Sequence, residues 1–464
     1  MIDDAPTGPR ETPVGGPAPS PARAAAARAL ERVLADDAFA DLALDAELAA
    51  RRVSSRDAAL ATELVYGTLR WQRYLDWVLA PHSRRRLDTL NPRVLTLLRM
   101  TAYQIVFLTR IPAFAAVSDA VSLARVRARP GVTGFVNAVL RSFNRRGARE
   151  RDPTAPIDPI EALAVRLSFP TWLAARWVDR YGVDEATALM HAMNERPPIT
   201  VRANTLRLTR EALAQRLTQE DGLRVSATRY APEGLVVEHG GTPASWRAFA
   251  DGACAVQDEA SMLIAHLLAA RPGETIADAC AAPGTKTTHL AQLMDNRGRI
   301  VAFDPQPSRL ARVAAAAARL GVGIVETRAG TVEALAGDFV GACDGVLVDA
   351  PCSNLGVLRR NPDVKWRRSA NDIAASATRQ REILAAAAGM VKPGGRLVYA
   401  TCSLEPAENE MVTQTFAGRR TCWTKTSAPS GLAARTRAST GTSAIELWAA
   451  RNPVGTAAGS TCAT

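Results

Sequence analysis

The second half of the chain alternates apolar runs with helical segments, and this alternation limits the possible folds more than any other feature. Runs such as "GVLVDAP" and "RLVYATCS" are uninterrupted and apolar until they reach small or polar residues. Such runs are typical of buried parallel strands that enter loops. Their alternation with helices predicts a doubly wound, mainly parallel α/β sheet over residues 259–418. Ligands of such sheets bind at the carboxyl ends of the strands.

The region before this sheet divides into three parts. Residues 22–150 place apolar side chains at helical spacing and predict a small all-α bundle, with a serine cap at Ser54 or Ser55 and an asparagine cap at Asn91. Residues 151–258 predict a small α+β linker subdomain, and residues 1–21, rich in Pro, Gly and Ala, predict a disordered leader.

Size and cysteine usage narrow the class of protein. A chain of 464 residues is longer than one hydrophobic core usually accommodates, so we expect a multidomain protein. No apolar run approaches the roughly 20 residues of a membrane span, and no signal peptide is recognisable, so we expect a cytoplasmic monomer. The cysteines are scattered without a CxxC pair, which predicts reduced thiols and no metal site.

A net charge of +11, carried mainly by arginine, suggests a polyanionic partner. A genome rich in G and C would also encode many arginines, so composition alone leaves both explanations open. The recurrence of arginines along the helical region nevertheless favours an RNA-binding face. These arginines are Arg84, Arg85, Arg86, Arg125, Arg127, Arg129, Arg141, Arg145 and Arg146.

The loop "ACAAPGTK" follows the first predicted strand of the sheet and opens a helix. Small residues allow the backbone to approach a ligand, and Asp304, twenty residues past Gly284, could accept hydrogen bonds from ribose hydroxyls. These features predict a nucleotide-like cofactor. The GxGxxG pattern of dinucleotide binders is missing, so S-adenosyl-L-methionine is favoured over a dinucleotide.

Asp349, Cys352 and Cys402 follow two of the predicted strands and are expected to meet at one edge of the sheet. Pyrimidine C5 is a poor nucleophile, and its methylation calls for transient addition of a thiolate at C6. An acid near N3 and a group that removes the C5 proton complete the chemistry. From the residues alone, these three side chains could fill the three roles.

Several motifs resemble those of the RNA 5-methylcytosine methyltransferases, the family with a proline–cysteine and a threonine–cysteine motif. They are "DACAAPGTK", "DAPCSNLGVLRRNPDVKW" and "YATCSLEPAENE", preceded by "VRANTL" and "VQDEAS". In addition, "ELVYGTLRW" and "GFVNAVLRSF" resemble the NusB-like RNA-binding domain. Together they are similar to the Sun branch of the family over residues from about 22 to 415.

The resemblance implies a NusB-like helical domain, a Rossmann-like methyltransferase domain, S-adenosyl-L-methionine as donor and a cytosine C5 of 16S ribosomal RNA as substrate. It places the catalytic nucleophile at Cys402, the resolving cysteine at Cys352 and the acid shared by donor and base at Asp349. The donor site falls on Cys280, Ala281, Ala282, Pro283, Gly284, Thr285, Lys286, Asp304 and Asp349.

The sequence departs from the family pattern at three places. Thr285 replaces a usual second glycine of the donor loop, which is tolerable if its φ is negative. Thr331 stands where an acid usually meets the adenine, so weaker donor binding is expected. Residues 419–464 lack a recognisable terminal hairpin, and two explanations stay open: a shifted reading frame near Arg419, or a genuine disordered tail.

Two other functions remain possible at this level. The chain could be a NusB-like RNA-binding protein whose methyltransferase domain is inactive, or it could methylate another RNA such as transfer RNA. Catalytic motifs do not define the substrate, and only the NusB-like domain favours ribosomal RNA.

Overall fold

The computed structural model describes residues 18–51, 53–127, 131–146, 158–238, 240–419, 423–426 and 445–450. The chain divides into two compact units, residues 1–191 and 192–464. This division falls inside the predicted linker subdomain of residues 151–258. No helix in the described ranges is long and apolar enough to cross a membrane.

The first unit is helical. Its helices are α1 (Pro21–Ala35), α2 (Ala40–Arg51), α3 (Ser55–Arg70), α4 (Gln72–Leu79), α5 (Pro92–Phe107), α6 (Ala113–Arg127), α7 (Val132–Arg146), α8 (Pro159–Arg166), α9 (Thr171–Tyr181) and α10 (Val183–Asn194), which crosses into the second unit. The predicted caps are confirmed. The Ser54 side chain accepts a hydrogen bond from the Asp57 amide. The Asn91 side chain accepts one from the Arg93 amide, and Pro92 is the first residue of that helix.

The core of this unit includes aliphatic and aromatic side chains from each of the helices α1 to α7. Leu30, Leu64, Leu98 and Phe143 are completely buried. Burying each leucine contributes about 1.5–3 kcal/mol relative to an exposed one. Packing of amphipathic helices, more than helix propensity, therefore stabilises this bundle.

The second unit begins with a small antiparallel sheet. Its strands are β1 (Ile199–Ala203), β2 (Arg224–Ala227), β3 (Gly234–Glu238) and β4 (Cys254–Val256), joined by α11 (Arg210–Gln219) and α12 (Arg247–Ala250). The strand order is β2-β3-β1-β4, with every neighbouring pair antiparallel. The α+β character expected of this region is therefore found.

A second, larger sheet follows. Its strands are β5 (Thr275–Asp278), β6 (Arg299–Asp304), β7 (Val325–Ala329), β8 (Cys343–Asp349), β9 (Val391–Ala400), β10 (Trp423–Thr426) and β11 (Ile445–Ala450). The helices between them are α13 (Glu259–Leu268), which precedes β5, α14 (Thr285–Leu293), α15 (Pro307–Leu320), α16 (Val332–Leu335), α17 (Val364–Arg367), α18 (Ala370–Gly389) and α19 (Glu410–Arg419).

The order of this sheet is β10-β11-β9-β8-β5-β6-β7, and β5 to β9 are parallel. Alternate residues of β8 enter different cores: Val346 and Val348 belong to the cluster that includes Leu384 of α18, and Leu347 belongs to the cluster that includes Leu290 of α14. Helices therefore cover both faces, which confirms the predicted doubly wound sheet.

The end of the chain contains two antiparallel strands, although the sequence predicts no terminal hairpin. Strand β11 pairs antiparallel with β9, and β10 pairs antiparallel with β11. An added edge strand needs only backbone donors and acceptors at the right register, so the atypical composition does not prevent pairing. The hypothesis of a shifted reading frame remains a prediction, and residues 451–464 lie outside the described ranges.

Candidate active site

The carboxyl ends of four parallel strands lie at one edge of the large sheet. Asp278 ends β5, Asp304 ends β6 and Asp349 ends β8. Asp349 is in register with Ala400, so the residues after β9, including Cys402, enter the same region. The structure thus brings together the strand-end residues that the sequence singled out.

The predicted donor loop joins β5 to α14. Ala281 donates its amide to the Phe303 carbonyl at 2.9 Å, which fixes the loop against β6. Gly284 has φ +101°, and a Cβ there would lie 3.0 Å from the Cα of Val313. Glycine is therefore required by both conformation and space. Thr285 begins α14 and has no positive φ, so the condition for tolerating this departure is met.

The Cys280 side chain is an inert thiol in this loop. Burial, together with the carboxylates of Asp278 and Asp349, raises its pKa far above the ordinary value of a cysteine. A thiol that keeps its proton is a poor nucleophile. Cys280 is accordingly suited to line the loop and not to react.

Lys286 forms an ion pair with Asp349. Its Nζ lies 2.6 Å from Asp349 Oδ2, and the lysine side chain is only 13% exposed. Burial alone would lower the pKa of Lys286, but Asp349 raises it above its ordinary value, and Cys402 acts in the same direction. The ammonium group therefore stays charged near both the shared acid and the predicted nucleophile.

Asp278 is a buried carboxyl beneath the donor loop. Its Oδ2 accepts a hydrogen bond from the Thr287 hydroxyl at 2.7 Å. Burial raises its pKa to about 6, helped by the charge of Asp349 and opposed by the Thr287 hydrogen bond. This residue was not singled out from the sequence, although it directly precedes the loop motif.

Asp304 is a predicted donor contact, and Thr331 is the residue whose replacement of the usual acid is expected to weaken donor binding. Asp304 is 3% exposed and accepts from the Gln306 amide at 2.9 Å, while Arg309 Nη1 lies 3.4 Å from its other oxygen. Thr331 caps α16, since its hydroxyl oxygen accepts from the Ala334 amide at 3.3 Å. The threonine thus has a local structural role where the family usually carries an acid.

The two predicted catalytic cysteines are in contact. Cys352 Sγ and Cys402 Sγ are 3.1 Å apart. The Asn354 side-chain oxygen accepts from Cys402 Sγ at 2.9 Å and from Cys352 Sγ at 3.4 Å. Asn354 has φ +63°, a conformation that asparagine tolerates better than most residues. Residues 50 positions apart therefore form one thiol pair.

The environment distinguishes the two thiols. The hydrogen bond with Cys402, burial and the charge of Glu408 raise the pKa of Cys352 well above the usual range of a cysteine. Cys352 is buried, whereas Cys402 is partly exposed. The surroundings thus favour the protonated form of Cys352, and Cys402 is the more exposed residue of the pair.

Sequence reasoning missed the polar residues that surround this pair. Asn354, Gln380 and Glu408 all contact the cysteine loops or the sulfurs. No periodicity identifies them, since they come from a loop, a helix and a short 3-10 turn. The asparagine directly after "PCS" is the one available signal, because asparagine favours turns.

One group of His, Cys, Asp and Glu side chains within the described ranges has spacing compatible with a metal ion: Glu233, His266 and His289, with ligand atoms within 4.8 Å. However, the fully buried Arg202 acts electrostatically on both Glu233 and His289. Burial lowers the pKa of His289 to about 3, so this ring is neutral. The guanidinium already offsets the carboxylate, which suits a buried polar network better than a cation site.

Comparison with known proteins agrees with the motifs. Residues 265–451 match the family described as 16S rRNA methyltransferase RsmB/F. Residues 169–242 match the Methyltr_RsmF/B-like ferredoxin-like domain, and residues 20–145 match the NusB family. These matches confirm the predicted NusB-like and methyltransferase domains.

Similar proteins span nearly the whole chain. Ribosomal RNA small subunit methyltransferase B of Pseudomonas putida is 37% identical over 407 residues, 86% of this chain and 89% of that protein. The protein of the same name from Erwinia tasmaniensis is 36% identical over 400 residues, 86% of this chain and 90% of its own. A solved structure, that of PH0851, has a TM-score of 0.77 and 28% identity, covering 92% of this chain and 98% of its own.

Proposed function

Because the chain belongs to the RsmB/F family of 16S rRNA methyltransferases, we propose that it methylates C5 of a cytosine in 16S ribosomal RNA through a covalent cysteine adduct at C6. The coarser activity, methylation of small-subunit ribosomal RNA, follows from family membership. The cytosine, the C5 position and the covalent step are the proposal.

The contact between Cys352 and Cys402 at the strand ends carries this proposal. Two thiols 3.1 Å apart, one protonated and buried and one partly exposed, offer a nucleophile and an adjacent proton carrier. The Lys286–Asp349 pair supplies a charged acid and base beside them. A pair of this kind suits addition to a pyrimidine and later elimination.

The steps can be assigned to the chain's own residues. Cys402 Sγ, as thiolate, forms a bond to C6, and the C5–C6 π electrons move through the ring toward N3, to which Asp349 is proposed to donate a proton supplied by the neighbouring Lys286 ammonium. C5 becomes nucleophilic and would take up the methyl group of a bound donor, whose sulfonium–methyl bond breaks to leave a thioether. Bonding of Cys402 to C6 removes the contact that is the first cause of the raised pKa of Cys352, so Cys352 is proposed to release its own proton to solvent and to take up the C5 proton as thiolate. The C5–C6 double bond then re-forms, the Sγ–C6 bond breaks, Cys402 leaves as thiolate, and N3 returns its proton to the Asp349–Lys286 pair.

The donor site is consistent with S-adenosyl-L-methionine, which when bound supplies the electrophilic methyl group. Gly284 allows the loop to pack closely against Val313 of α15 and stands at the N-terminus of α14, an end of a helix that favours negatively charged ligand groups. The buried carboxylate of Asp304 is proposed to hold the ribose hydroxyls, and Lys286 and Asp349 lie at the inner end of the loop.

Exposed arginines on the helical unit support an RNA partner. The segment that carries Arg84, Arg85 and Arg86 follows a 3-10 turn whose His82 ring packs on Phe143 of α7. Arg141 and Arg145 are exposed on that same helix. The turn that precedes Arg84 to Arg86 therefore packs on the helix that carries Arg141 and Arg145, an arrangement compatible with phosphate binding by both sets. Arg129 and the side chains of Arg127 and Arg146 lie outside the described set.

Transfer of labelled methyl groups to unmodified 16S RNA tests the proposal. We expect incorporation by the wild type and none by Cys402→Ala. Cys352→Ala should accumulate a covalent RNA adduct on denaturing gels that Cys402→Ala cannot form. Cys343→Ala, a buried thiol at the other end of β8, is the matched control and should retain the wild-type pattern.

Equal amounts of adduct from Cys352→Ala and Cys402→Ala would refute the assignments of the two cysteines. RNA binding by folded protein with no methyl incorporation and no donor binding in calorimetry would instead favour an RNA-binding protein with an inactive methyltransferase domain. Incorporation into transfer RNA but not 16S RNA would replace the substrate while leaving the chemistry in place.

A further inference from the structure

The two loops that carry the cysteines converge on one buried carboxylate. Glu408 is completely buried in a 3-10 turn, Pro406–Glu408. Its Oε1 accepts from the Ser353 amide at 2.8 Å, and its Oε2 accepts from the Ser353 hydroxyl at 2.5 Å and from the Ser403 hydroxyl. Each of these serines directly follows one of the cysteines. The same carboxylate therefore hydrogen-bonds to both loops.

Neighbouring side chains add hydrogen bonds to Glu408 and to the proline–cysteine loop. Gln380 of α18 donates to Glu408 Oε1 at 3.1 Å and to the Pro351 carbonyl at 3.0 Å, so it fixes the other side of Cys352. The Tyr399 hydroxyl donates to the Glu408 carbonyl at 2.6 Å. Both flanks of the proline–cysteine segment and the end of β9 are thus tied to the same turn.

The next residue completes the connection to the second loop. Asn409 accepts from the Thr401 hydroxyl at 2.5 Å and donates to the Ser403 carbonyl at 2.9 Å. The residues before and after Cys402 are therefore both held by Asn409. Glu408 and Asn409 together fix the backbone on each side of the two sulfurs.

We propose that Glu408 is a positioning residue that holds the two cysteine loops in the register where their sulfurs touch. Glu408 contacts neither sulfur directly and acts through Ser353 and Ser403. The importance of this register for catalysis rests on the proposed function. Its geometric content, the contact between the two thiols, can be tested without RNA or methyl donor.

A carboxylate is an unusual choice for a position that only fills space. Burying a charge is unfavourable unless every oxygen is hydrogen-bonded, and an apolar side chain would avoid that cost. Charge-assisted hydrogen bonds are shorter and stronger than neutral ones, so they restrict the loops more tightly. Catalytic groups need such support, because small displacements reduce the rate strongly.

The charge of Glu408 has a second effect. It favours the protonated form of Cys352, in the same direction as burial and the contact with Cys402. Glu408→Gln removes this charge but keeps the shape, and its amide can still accept from the Ser353 amide while donating to the two hydroxyl oxygens. Positioning and charge can therefore be separated with one conservative variant.

Disulfide formation between Cys352 and Cys402 reports the register of the loops. The full-length protein is treated with diamide, which takes up two electrons and two protons as the thiols become a disulfide, and the cross-link is quantified by peptide mass spectrometry. We expect Glu408→Leu to slow cross-linking at least about tenfold, since several charge-assisted hydrogen bonds are lost. Glu408→Gln should remain within about threefold of wild type, with its pH profile moved to lower pH.

A second pair of variants covers the case in which Glu408→Leu does not fold. Ser403→Ala removes one hydroxyl link to the carboxylate. Thr413→Val removes a buried hydroxyl that donates to the carbonyls of Asn409 and Glu410, one helical turn earlier, and, within the described residues, makes no link to either cysteine loop; it is the matched control. Slower cross-linking in Ser403→Ala but not in Thr413→Val supports the proposal, and equal rates in these two variants overturn it.

Further outcomes are decisive. A folded Glu408→Leu that cross-links at the wild-type rate overturns the positioning role, as does a Glu408→Gln that fails to restore the rate. Methyl transfer is measured on the same proteins. If the wild type lacks activity on RNA while Glu408 still controls cross-linking, the proposed function has failed and the positioning of the two loops stands.

Discussion

Replacing Asp278 by asparagine should stabilise the second unit at neutral pH, and the gain should grow as the pH rises. Asp278 ends β5 with 1% exposure, and burial raises its pKa from an ordinary 3.8 to about 6. Between these two pH values the folded state holds a proton that the unfolded state has released. The free energy of unfolding therefore falls as the pH rises through this window.

The size of this stability change follows from the difference between the two pKa values of Asp278. At about 1.4 kcal/mol per pKa unit, the step from 3.8 to about 6 corresponds to about 3 kcal/mol when it is complete. Roughly half of this loss, about 1.4 kcal/mol, develops between pH 5 and pH 8. Asparagine does not titrate and can still accept from the Thr287 hydroxyl, so Asp278→Asn should escape that loss.

Hydrogen exchange of the β5 amides across a urea series, at pH 5 and at pH 8, measures the effect in the unit concerned. The stability of Asp278→Asn relative to wild type should increase by about 1.4 kcal/mol between the two pH values. A difference that stays constant with pH would refute the raised pKa on which the reasoning depends.

Asp344→Asn is the matched control in the neighbouring strand. Burial alone would raise the pKa of Asp344, but Lys392 at 2.8 Å and the Thr275 amide at 2.8 Å lower it below its ordinary value. Both folded and unfolded states are therefore ionised from pH 5 to pH 8. This variant should lose stability by an amount that does not change over that range, because its stabilising effect is lost only at lower pH.

Three other substitutions test the proposed donor site, the core of the helical unit and the buried network around Arg202. Asp304→Asn should weaken donor binding about 10-fold to 100-fold in calorimetry without RNA, because hydrogen bonds to a charged acceptor are lost; unchanged affinity would remove Asp304 from the donor site. Phe143→Ala should destabilise the helical unit by about 3–5 kcal/mol in thermal unfolding, whereas the exposed Phe114→Ala should have little effect, and equal shifts would contradict the core described for that unit. Arg202→Met should cost about 3–5 kcal/mol, since Gln292 and the Thr285 carbonyl would lose a buried donor and Glu233 would lose a positive charge that acts on it; a stability equal to wild type would show that the network is dispensable.

Much of the fold could be predicted from local patterns. The cap at Asn91 with Pro92 in the first turn is a local signal, and so is the apolar run that becomes β8. Local signals failed at the end of the chain, where "IELWAA" forms β11. That strand pairs with β9 through its backbone, and backbone pairing leaves little trace in composition.

The strand-end residues of the site could be predicted as well, for a geometric reason. Parallel strands end at one edge of the sheet, so Asp304, Asp349 and Cys402 must be neighbours once the strands are assigned. The motifs gave their roles through resemblance to a family. Neither source gave a distance between the two cysteines, since they lie in loops whose path no periodicity defines.

The sequence by itself therefore determined the three kinds of domain, the order of strands and helices, and which residues reach the carboxyl-end edge of the large sheet. Tertiary structure alone decided how the polar groups of the candidate site are arranged: the ion pair of Lys286 with Asp349, the contact of Cys352 with Cys402, and the carboxylate of Glu408 between their loops. Secondary structure follows from short-range repeats that can be read along the chain. Polar networks depend on distances and burial between residues far apart in sequence, and these exist only after the chain has folded.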